Sequence, residues 1–197
     1  MKFNYKFIII FFYIFSAAHI SANENLASFL IRDYVSGTLP VVGADEAEFT
    51  IVEFFDYRCG YCRKQAIDFS KLLNENNNVQ VIYLELPIFG GISEIAASVA
   101  LYVWKIKPAS YFDIHNGLMR LGPAMKESDI IKLLDNIGLD GKGIFEIAKN
   151  DKENIIINKN KVLAKSLGLR GTPALIINDS IIPGYVTIDN LRSMIKQ

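Results

Sequence analysis

The sequence predicts an α/β protein with the element order β-α-β, then a block of helices, then β-β-α. Three observations indicate this order. Two apolar runs rich in β-branched and aromatic residues precede residue 91, helical periodicity fills the middle of the chain, and short apolar runs return before the C-terminus. Such an order requires a parallel strand pair early in the chain and an antiparallel hairpin late.

The composition limits the classes of protein to which the chain can belong. Of the 197 residues, 51% are apolar and 21% are charged, which suits a packed core in one domain or in one domain with an insertion. The formal net charge is zero and no basic block occurs. The chain therefore lacks the electrostatic footprint of a nucleic-acid-binding protein, and we expect no nucleic-acid partner.

The first residues have the order of a secretory signal. Lys2 and Lys6 precede the apolar run Phe7–Ala18, and small residues follow. The run is too short to span a bilayer comfortably, which takes roughly 20 residues. We predict that residues 1–22 are a signal peptide, cleaved after Ala18 or after Ala22, and that the protein is periplasmic or secreted. An uncleaved membrane anchor is the alternative.

Residues 23–38 are predicted to form an N-terminal helical extension and linker. A weak helical stripe is followed by Gly37, Pro40 and Gly43, which are typical of a linker. The first predicted strand, Phe49–Tyr57, is apolar on both faces and therefore central in the sheet.

A helix is predicted from Cys62, because Ala66, Phe69 and Leu73 follow it at helical spacing. The second strand is Val79–Leu86. Helical stripes then predict three helical segments, at Ile92–Ile106, Glu127–Ile137 and, with soft boundaries, Gly143–Leu167.

Strand character returns at Pro173–Asn178. A turn at Asp179–Ser180 and a short strand at Ile181–Pro183 complete a predicted hairpin. Thr187–Gln197 has the pattern of a closing helix.

The segment EFFDYRCGYCRK contains the only two cysteines, Cys59 and Cys62. A bridge that closes two intervening residues removes little chain entropy, so a static brace explains the pair poorly. A zinc site needs four ligands, and the chain adds only His19 and His115, the second of which we expect to be an ordinary surface or core histidine. Redox exchange is the preferred interpretation, and we predict no metal site and no cofactor.

The two thiols are expected to differ. Cys59 falls at the N-terminus of a helix, where free amides and the macrodipole favour a thiolate, and Arg58, Arg63 and Lys64 should add to this. Cys62 lies one turn on and should be a buried resolving thiol. Gly60 permits close approach of a peptide substrate, and Tyr61 shades the pair.

Glu53 stands six residues before Cys59 inside the apolar strand. A buried carboxylate is unfavourable, so its pKa should rise, and it is placed to exchange a proton with Cys62 directly or through a water. The alternative is that Glu53 is an edge residue in contact with solvent.

These features resemble the DsbA-like thiol:disulfide oxidoreductases of the thioredoxin superfamily. The likeness runs from about Leu39 to the C-terminus and is carried by FTIVEFFDYRCGYCRK, by ELPIFGGISEIAASVAL (Glu85–Leu101) and by LGLRGTPALIIND (Leu167–Asp179). The resemblance implies a thioredoxin fold with an inserted all-helical domain. The predicted division is a thioredoxin-like domain at 39–90 and 165–197 and an inserted helical domain at 91–164.

The resemblance also implies that Thr172–Pro173 is a cis peptide beside the cysteines and docks the substrate strand through the main chain. It implies unfolded or partially folded secreted proteins as partners, and a membrane partner for reoxidation or reduction as an open alternative. Gly60 and Tyr61 between the cysteines, with Thr172 before the proline, are closer to disulfide isomerases than to oxidases. Isomerases usually assemble through an N-terminal region, and the short segment 23–38 favours a monomer.

Three functions follow from this pattern. The first is an exported dithiol oxidase, and the second is a protein disulfide isomerase that reshuffles wrong bridges. The third is a peptide-binding holdase in which the cysteines are incidental.

Overall fold

The structure is a computed structural model that describes residues 39–151 and 154–195. The predicted signal peptide and helical extension lie outside these ranges. None of the helices within them is both long and apolar enough to span a bilayer.

The described residues form a mixed α/β architecture around one sheet. The strands are β1 (Val41–Gly43), β2 (Phe49–Phe55), β3 (Val79–Glu85), β4 (Ala174–Ile177) and β5 (Ser180–Pro183). The α-helices are α1 (Gly60–Glu75), α2 (Ile92–Ile106), α3 (Tyr111–Leu121), α4 (Glu127–Asn136), α5 (Gly141–Asn150), α6 (Ile155–Ser166) and α7 (Ile188–Met194). Short 3-10 turns occupy Pro108–Ser110 and Gly122–Ala124.

The sheet has the strand order β1-β3-β2-β4-β5, so β2 is the central strand. It pairs parallel with β3 and antiparallel with β4. The early parallel pair and the late hairpin that the sequence predicts are both confirmed. Because β2 has a neighbour on each side and helices above and below, its apolar residues are buried on both faces, as expected of such a run.

Side chains alternate between two cores along the central strands. Ile51 and Phe55 lie in the larger core, which α1 and the helices between β3 and β4 cover. Val52 and Phe54 lie in the smaller core on the opposite face, together with Ala164 of α6. The start of α1 therefore lies against the face of the sheet that carries Ile51 and Phe55.

Some elements differ from those predicted from the sequence. The third helical segment is two helices, α5 and α6, rather than one region. Strand β1 was not predicted, because it has only three residues, directly follows Pro40 and itself ends in Gly43. Its hydrogen bonds are to β3, which is distant in the sequence. The hairpin turn is Asn178–Asp179 rather than Asp179–Ser180, and Asn178 adopts a φ of 53°, a left-handed conformation that asparagine tolerates.

The division into a thioredoxin-like domain and an inserted domain at 91–164 stays a prediction. Helix α6 extends past residue 164, where the predicted inserted domain ends. Asn160 of this helix donates from Nδ2 to the main-chain oxygen of Glu85 at 3.0 Å, and Ala164 packs in the smaller core. The last of the five helices between β3 and β4 therefore packs directly on the sheet.

Candidate active site

The two cysteines lie where β2 turns into α1. The main-chain N–H of Cys59 donates to the oxygen of Asp56 at 3.0 Å, which closes the turn after the strand. Cys59 is the N-cap of α1, with φ −77° and ψ 119°, and its sulfur accepts the main-chain N–H of Cys62. The predicted position of Cys59 at the start of the helix is confirmed.

Cys59 has the properties of a stabilised thiolate. It is 7% exposed, and the N–H of Cys62 lies 3.5 Å from its sulfur. Hydrogen bonding from the Cys62 side chain is the largest cause that lowers the pKa of Cys59 to about 5, with further help from main-chain amides, against the opposing effect of burial. Cys59 is therefore the better nucleophile of the pair.

Cys62 has the opposite character. It is 0% exposed in the larger core, and burial is the largest cause that raises the pKa of its thiol far above the ordinary value. Hydrogen bonding with Cys59 and the charge of Glu53 raise it further. Both thiols are free in this structure. The pair thus combines an easily ionised thiol with a buried neutral one.

The basic residues near the pair have other contacts. Arg58 donates from Nε to the oxygen of Pro123 at 3.2 Å, and the Nζ of Lys64 lies 5.2 Å from the centre of the Tyr61 ring. The largest causes that lower the pKa of Cys59 are local hydrogen bonds. A further contribution from the charges of Arg58, Arg63 and Lys64 stays a prediction.

Asp56 organises the turn from below. Its carboxylate is 1% exposed and accepts the main-chain N–H groups of Arg58 at 2.8 Å and Phe89 at 3.0 Å, and the hydroxyl of Ser93 at 2.9 Å. It thereby ties the turn before the cysteines to the loop between β3 and α2. This role of Asp56 was not predicted from the sequence.

The loop before β4 meets the cysteine pair. The Thr172–Pro173 peptide bond is cis, which confirms the conformation that the family resemblance implied. The Sγ of Cys59 donates to the main-chain oxygen of Thr172 at 3.2 Å. The main chain of the residue before the proline therefore lies at the candidate nucleophile.

Glu53 lies in the centre of the sheet. It is 0% exposed, and neither of its carboxyl oxygens has a hydrogen-bond partner among the described residues. Burial is the largest cause that raises its pKa well above the ordinary value, and the charges of Cys59 and Glu85 raise it further. The alternative that Glu53 is a solvent-exposed edge residue was wrong.

Gly60 and Tyr61 are both exposed between the cysteines. Tyr61 is 60% exposed, and its ring stacks on that of Tyr185 with the ring centres 6.5 Å apart. Ile88 and Phe89, in the loop that Asp56 holds, are 49% and 54% exposed. Exposed apolar side chains thus occur on both segments that flank the turn.

A buried polar cluster behind the cysteines was not predicted. In this cluster Glu85 is 0% exposed and accepts the hydroxyl of Tyr111 at 2.9 Å. The Nδ1 of His115 lies 3.4 Å from the hydroxyl of Tyr57. His115 is a core histidine, and burial lowers its pKa to about 3. An acid inside the apolar strand segment VIYLEL was the signal that could have identified Glu85.

No three histidine, cysteine or acidic side chains among residues 39–151 and 154–195 lie close enough together to hold a metal ion.

The chain matches known proteins along most of its length. The model of the DSBA-like thioredoxin domain matches residues 50–196. Disulfide bond formation protein D of Bacillus subtilis is 28% identical over 168 residues, which cover 80% of this chain and 76% of that protein.

Two solved structures extend the comparison. The thiol-disulfide exchange protein alpha-DsbA2 of Wolbachia pipientis has a TM-score of 0.76 and 30% identity, over 86% of this chain and 91% of that one. A periplasmic thioredoxin-like protein of Salmonella enterica serovar Typhimurium has a TM-score of 0.70 and 32% identity, over 81% and 88%. The thioredoxin fold with a helical insertion is confirmed, and the chain belongs to the DSBA-like thioredoxin domain family as a thiol–disulfide oxidoreductase.

Proposed function

We propose that this protein is an exported dithiol oxidase that donates a Cys59–Cys62 disulfide to folding secreted proteins. The observation that carries the proposal is the contrast between an easily ionised Cys59 and a buried, neutral Cys62. A low pKa at Cys59 stabilises the reduced enzyme, so the disulfide is given up readily.

Disulfide transfer begins with attack by a substrate thiolate on the sulfur of Cys59. The Cys59–Cys62 bond breaks, Cys62 leaves with the electron pair, and neutral Glu53 supplies its proton. A second substrate thiolate then attacks the substrate sulfur of the mixed disulfide, and Cys59 leaves as the stabilised thiolate. The substrate loses two electrons and the enzyme gains them.

In the reverse direction Glu53 is the base. Conversion of the Cys59 thiolate into a mixed disulfide removes a negative charge that raises the pKa of Glu53. The Glu53 carboxyl group can then ionise and accept the proton of Cys62. Cys62 attacks Cys59, and the substrate sulfur departs as a thiolate.

The substrate is proposed to add its main chain beside Thr172. The oxygen of Thr172 lies at Cys59, and Pro173 is buried beneath it. Recognition through the main chain has little sequence preference, which suits a broad set of unfolded or partially folded secreted proteins. Exposed Tyr61 beside Gly60 offers apolar contact to the same chain.

An isomerase is the second candidate. It shares the exchange chemistry, and the pair Gly60–Tyr61 with Thr172 before the proline favours it. The oxidase is tested by titrating the reduced protein against glutathione buffers beside an assay on scrambled ribonuclease. We expect a reduction potential near about −120 mV, above the value of about −180 mV for protein disulfide isomerase, with little recovery of ribonuclease. Rapid recovery of scrambled ribonuclease with a potential at or below the isomerase value would replace the oxidase by the isomerase.

Two variants complete this test. Glu53→Gln should slow the resolving step about 100-fold while the protein stays folded, and unchanged kinetics from pH 5 to 8 would remove Glu53 from the mechanism. Cys59→Ala should abolish activity in a complementation assay, whereas a holdase would keep it.

Export and assembly are part of the same proposal. The segment 1–22 and the periplasmic Salmonella relative support export. N-terminal sequencing of the exported protein should begin at His19 or Asn23, and the full chain would indicate an anchor. Sedimentation of the mature protein should give a monomer. Copurification from solubilised membranes tests for a redox partner there.

A further inference from the structure

A second buried acid, Glu85, lies on the same face of the sheet as Glu53. Glu53 pairs in register with Tyr83, and Glu85 is the second residue after Tyr83 along β3. Because side chains alternate along a strand, all three belong to the face that α1 covers. Both carboxyl groups are 0% exposed.

The groups around the two acids come from β3, from the helices α1, α3 and α6, and from the turn that follows β2. Tyr111 of α3 donates its hydroxyl to Oε1 of Glu85 at 2.9 Å, and Asn160 of α6 donates to the main-chain oxygen of Glu85. The other titratable groups that face the pair are Tyr57 after β2, Tyr83 on β3, His115 on α3, and Cys59 and Cys62 at the start of α1.

No lysine or arginine is buried in the described part of the chain, so no buried cation neutralises this cluster. His115 is kept neutral, because burial lowers its pKa to about 3. Oε2 of Glu85 has no hydrogen-bond partner among the described residues. The negative charges of Glu53 and Glu85 therefore act on each other with little screening.

The charge of Glu85 bears directly on Glu53. Burial is the main cause that raises the pKa of Glu85 to about 8, and the charge of Glu85 is one of the causes that raise the pKa of Glu53. Like charges in a low-dielectric site disfavour each other's ionised form. The protonation state of Glu85 thus controls how readily Glu53 ionises.

We propose that Glu85 is a positioning residue that sets, through its charge, the pH range in which Glu53 takes the proton of Cys62. This inference rests on the proposed function, because it needs Glu53 to be the base of the resolving step. Glu85 touches neither the substrate nor the sulfurs in this role and acts through Glu53 alone.

The test follows the resolving step in isolation. Reduced protein is mixed with oxidised glutathione, and acid quenching with mass spectrometry gives the rate at which the glutathione adduct on Cys59 is lost, from pH 5 to 9. Glu85→Gln keeps an acceptor for Tyr111 and removes the charge. We expect the midpoint of the Glu53-dependent rise in rate to move down by about one pH unit, the size for two charges roughly 10 Å apart at an effective dielectric of roughly 20.

Three further variants make the test specific. Tyr111→Phe removes the hydrogen bond that favours the ionised form of Glu85, so it should also move the midpoint of the Glu53-dependent rise to lower pH. When it is combined with Glu85→Gln, the midpoint should move no further than in Glu85→Gln alone. Asn160→Ala disturbs the packing at Glu85 without changing a charge, so it should lower stability and leave the midpoint in place. In the Glu53→Gln background, Glu85→Gln should have no effect on the profile.

The outcomes separate the two claims. If Glu53→Gln keeps the pH-dependent rise, the role of Glu53 in the proposed function is wrong. If Glu53→Gln removes the rise but Glu85→Gln and the wild type share one midpoint, the inference on Glu85 is overturned. A midpoint that moves equally in Asn160→Ala also overturns it, because the effect would then be structural.

Discussion

The sulfur of Cys59 donates a hydrogen bond to the main-chain oxygen of Thr172 across 3.2 Å, although 113 positions separate the two residues. The antiparallel pairing of β2 with β4 explains this proximity. Phe54 and Ala174 form a register pair at the end of the ladder, so the segments that carry Cys59 and Thr172 leave the sheet at the same edge. A thiolate at Cys59 lacks this hydrogen and leaves the oxygen of Thr172 free to accept an N–H from a substrate.

The reactivity of Cys59 is expected to follow a pKa of about 5. Iodoacetamide alkylation of the reduced protein should reach half its maximal rate near that pH, far below the value of about 8.5 for a free thiol. Cys62→Ala removes the largest stabilising hydrogen bond, so the midpoint should rise by about one to two pH units. Cys59→Ser is the control and should show no alkylation below pH 7. A wild-type midpoint near that of a small thiol would contradict the assignment of the nucleophile.

The stability of the protein should depend on pH through Glu85. Its pKa in the folded state is about 8, raised above the unfolded value of about 4.3. A raised folded pKa means that the stability is fully present below the unfolded pKa and is lost as pH rises through the folded pKa. Glu85→Gln removes this loss, so its free energy of unfolding should exceed that of the wild type by a margin that grows to about 3 kcal/mol by pH 7.

Urea unfolding at pH 4.5, 6 and 7.5 measures that margin. Glu94 is a matched control, because its ion pair with Lys161 is exposed and Glu94→Gln should change the free energy of unfolding by less than about 1 kcal/mol. A margin for Glu85→Gln that stays constant from pH 4.5 to 7.5 would show that this carboxyl group has an ordinary pKa.

The elements with a clear local pattern could be predicted from the sequence. Helix α2 begins and ends at the predicted residues, Ile92 and Ile106, because its apolar stripe is regular and Pro108 follows it. Cys59, Cys62 and Glu53 were identified because each breaks the composition around it. The short strand Val41–Gly43 could not be found, because its partner is a strand almost 40 residues away in the chain.

The contacts that support the candidate site required the structure. Asp56, Tyr111 and Asn160 are unremarkable in the sequence, and their partners lie in other elements. Gln65 is a further example, since its buried amide bonds both main-chain groups of Val186, 121 positions away. Such pairings depend on how the helices pack, which no local periodicity records.

Asp56 is expected to hold the loop that borders the cysteines. Asp56→Ala leaves the N–H groups of Arg58 and Phe89 and the hydroxyl of Ser93 without an acceptor, so it should lower the free energy of unfolding by about 3 kcal/mol. Ser93→Ala removes one of the three bonds and should lower it by about 1 kcal/mol. Urea denaturation of both variants checks this order. Equal and small effects would mean that the carboxylate does not organise the turn.

Tyr61 is expected to bind substrate without taking part in exchange. Its ring is 60% exposed, is backed by Tyr185 and lies beside the Nζ of Lys64, so a rigid apolar surface is presented next to Cys59. Tyr61→Ser should lower the apparent affinity for a reduced, unfolded protein substrate by about tenfold, because most of an aromatic contact is lost. Its reaction with glutathione should change less than about twofold, since glutathione is too small to reach along that surface. Stopped-flow measurement with both reductants gives the two rates, and Val162→Ser, which removes a 70% exposed apolar side chain from α6, is the matched control. Equal slowing with both reductants would instead assign Tyr61 an effect on the sulfur chemistry itself.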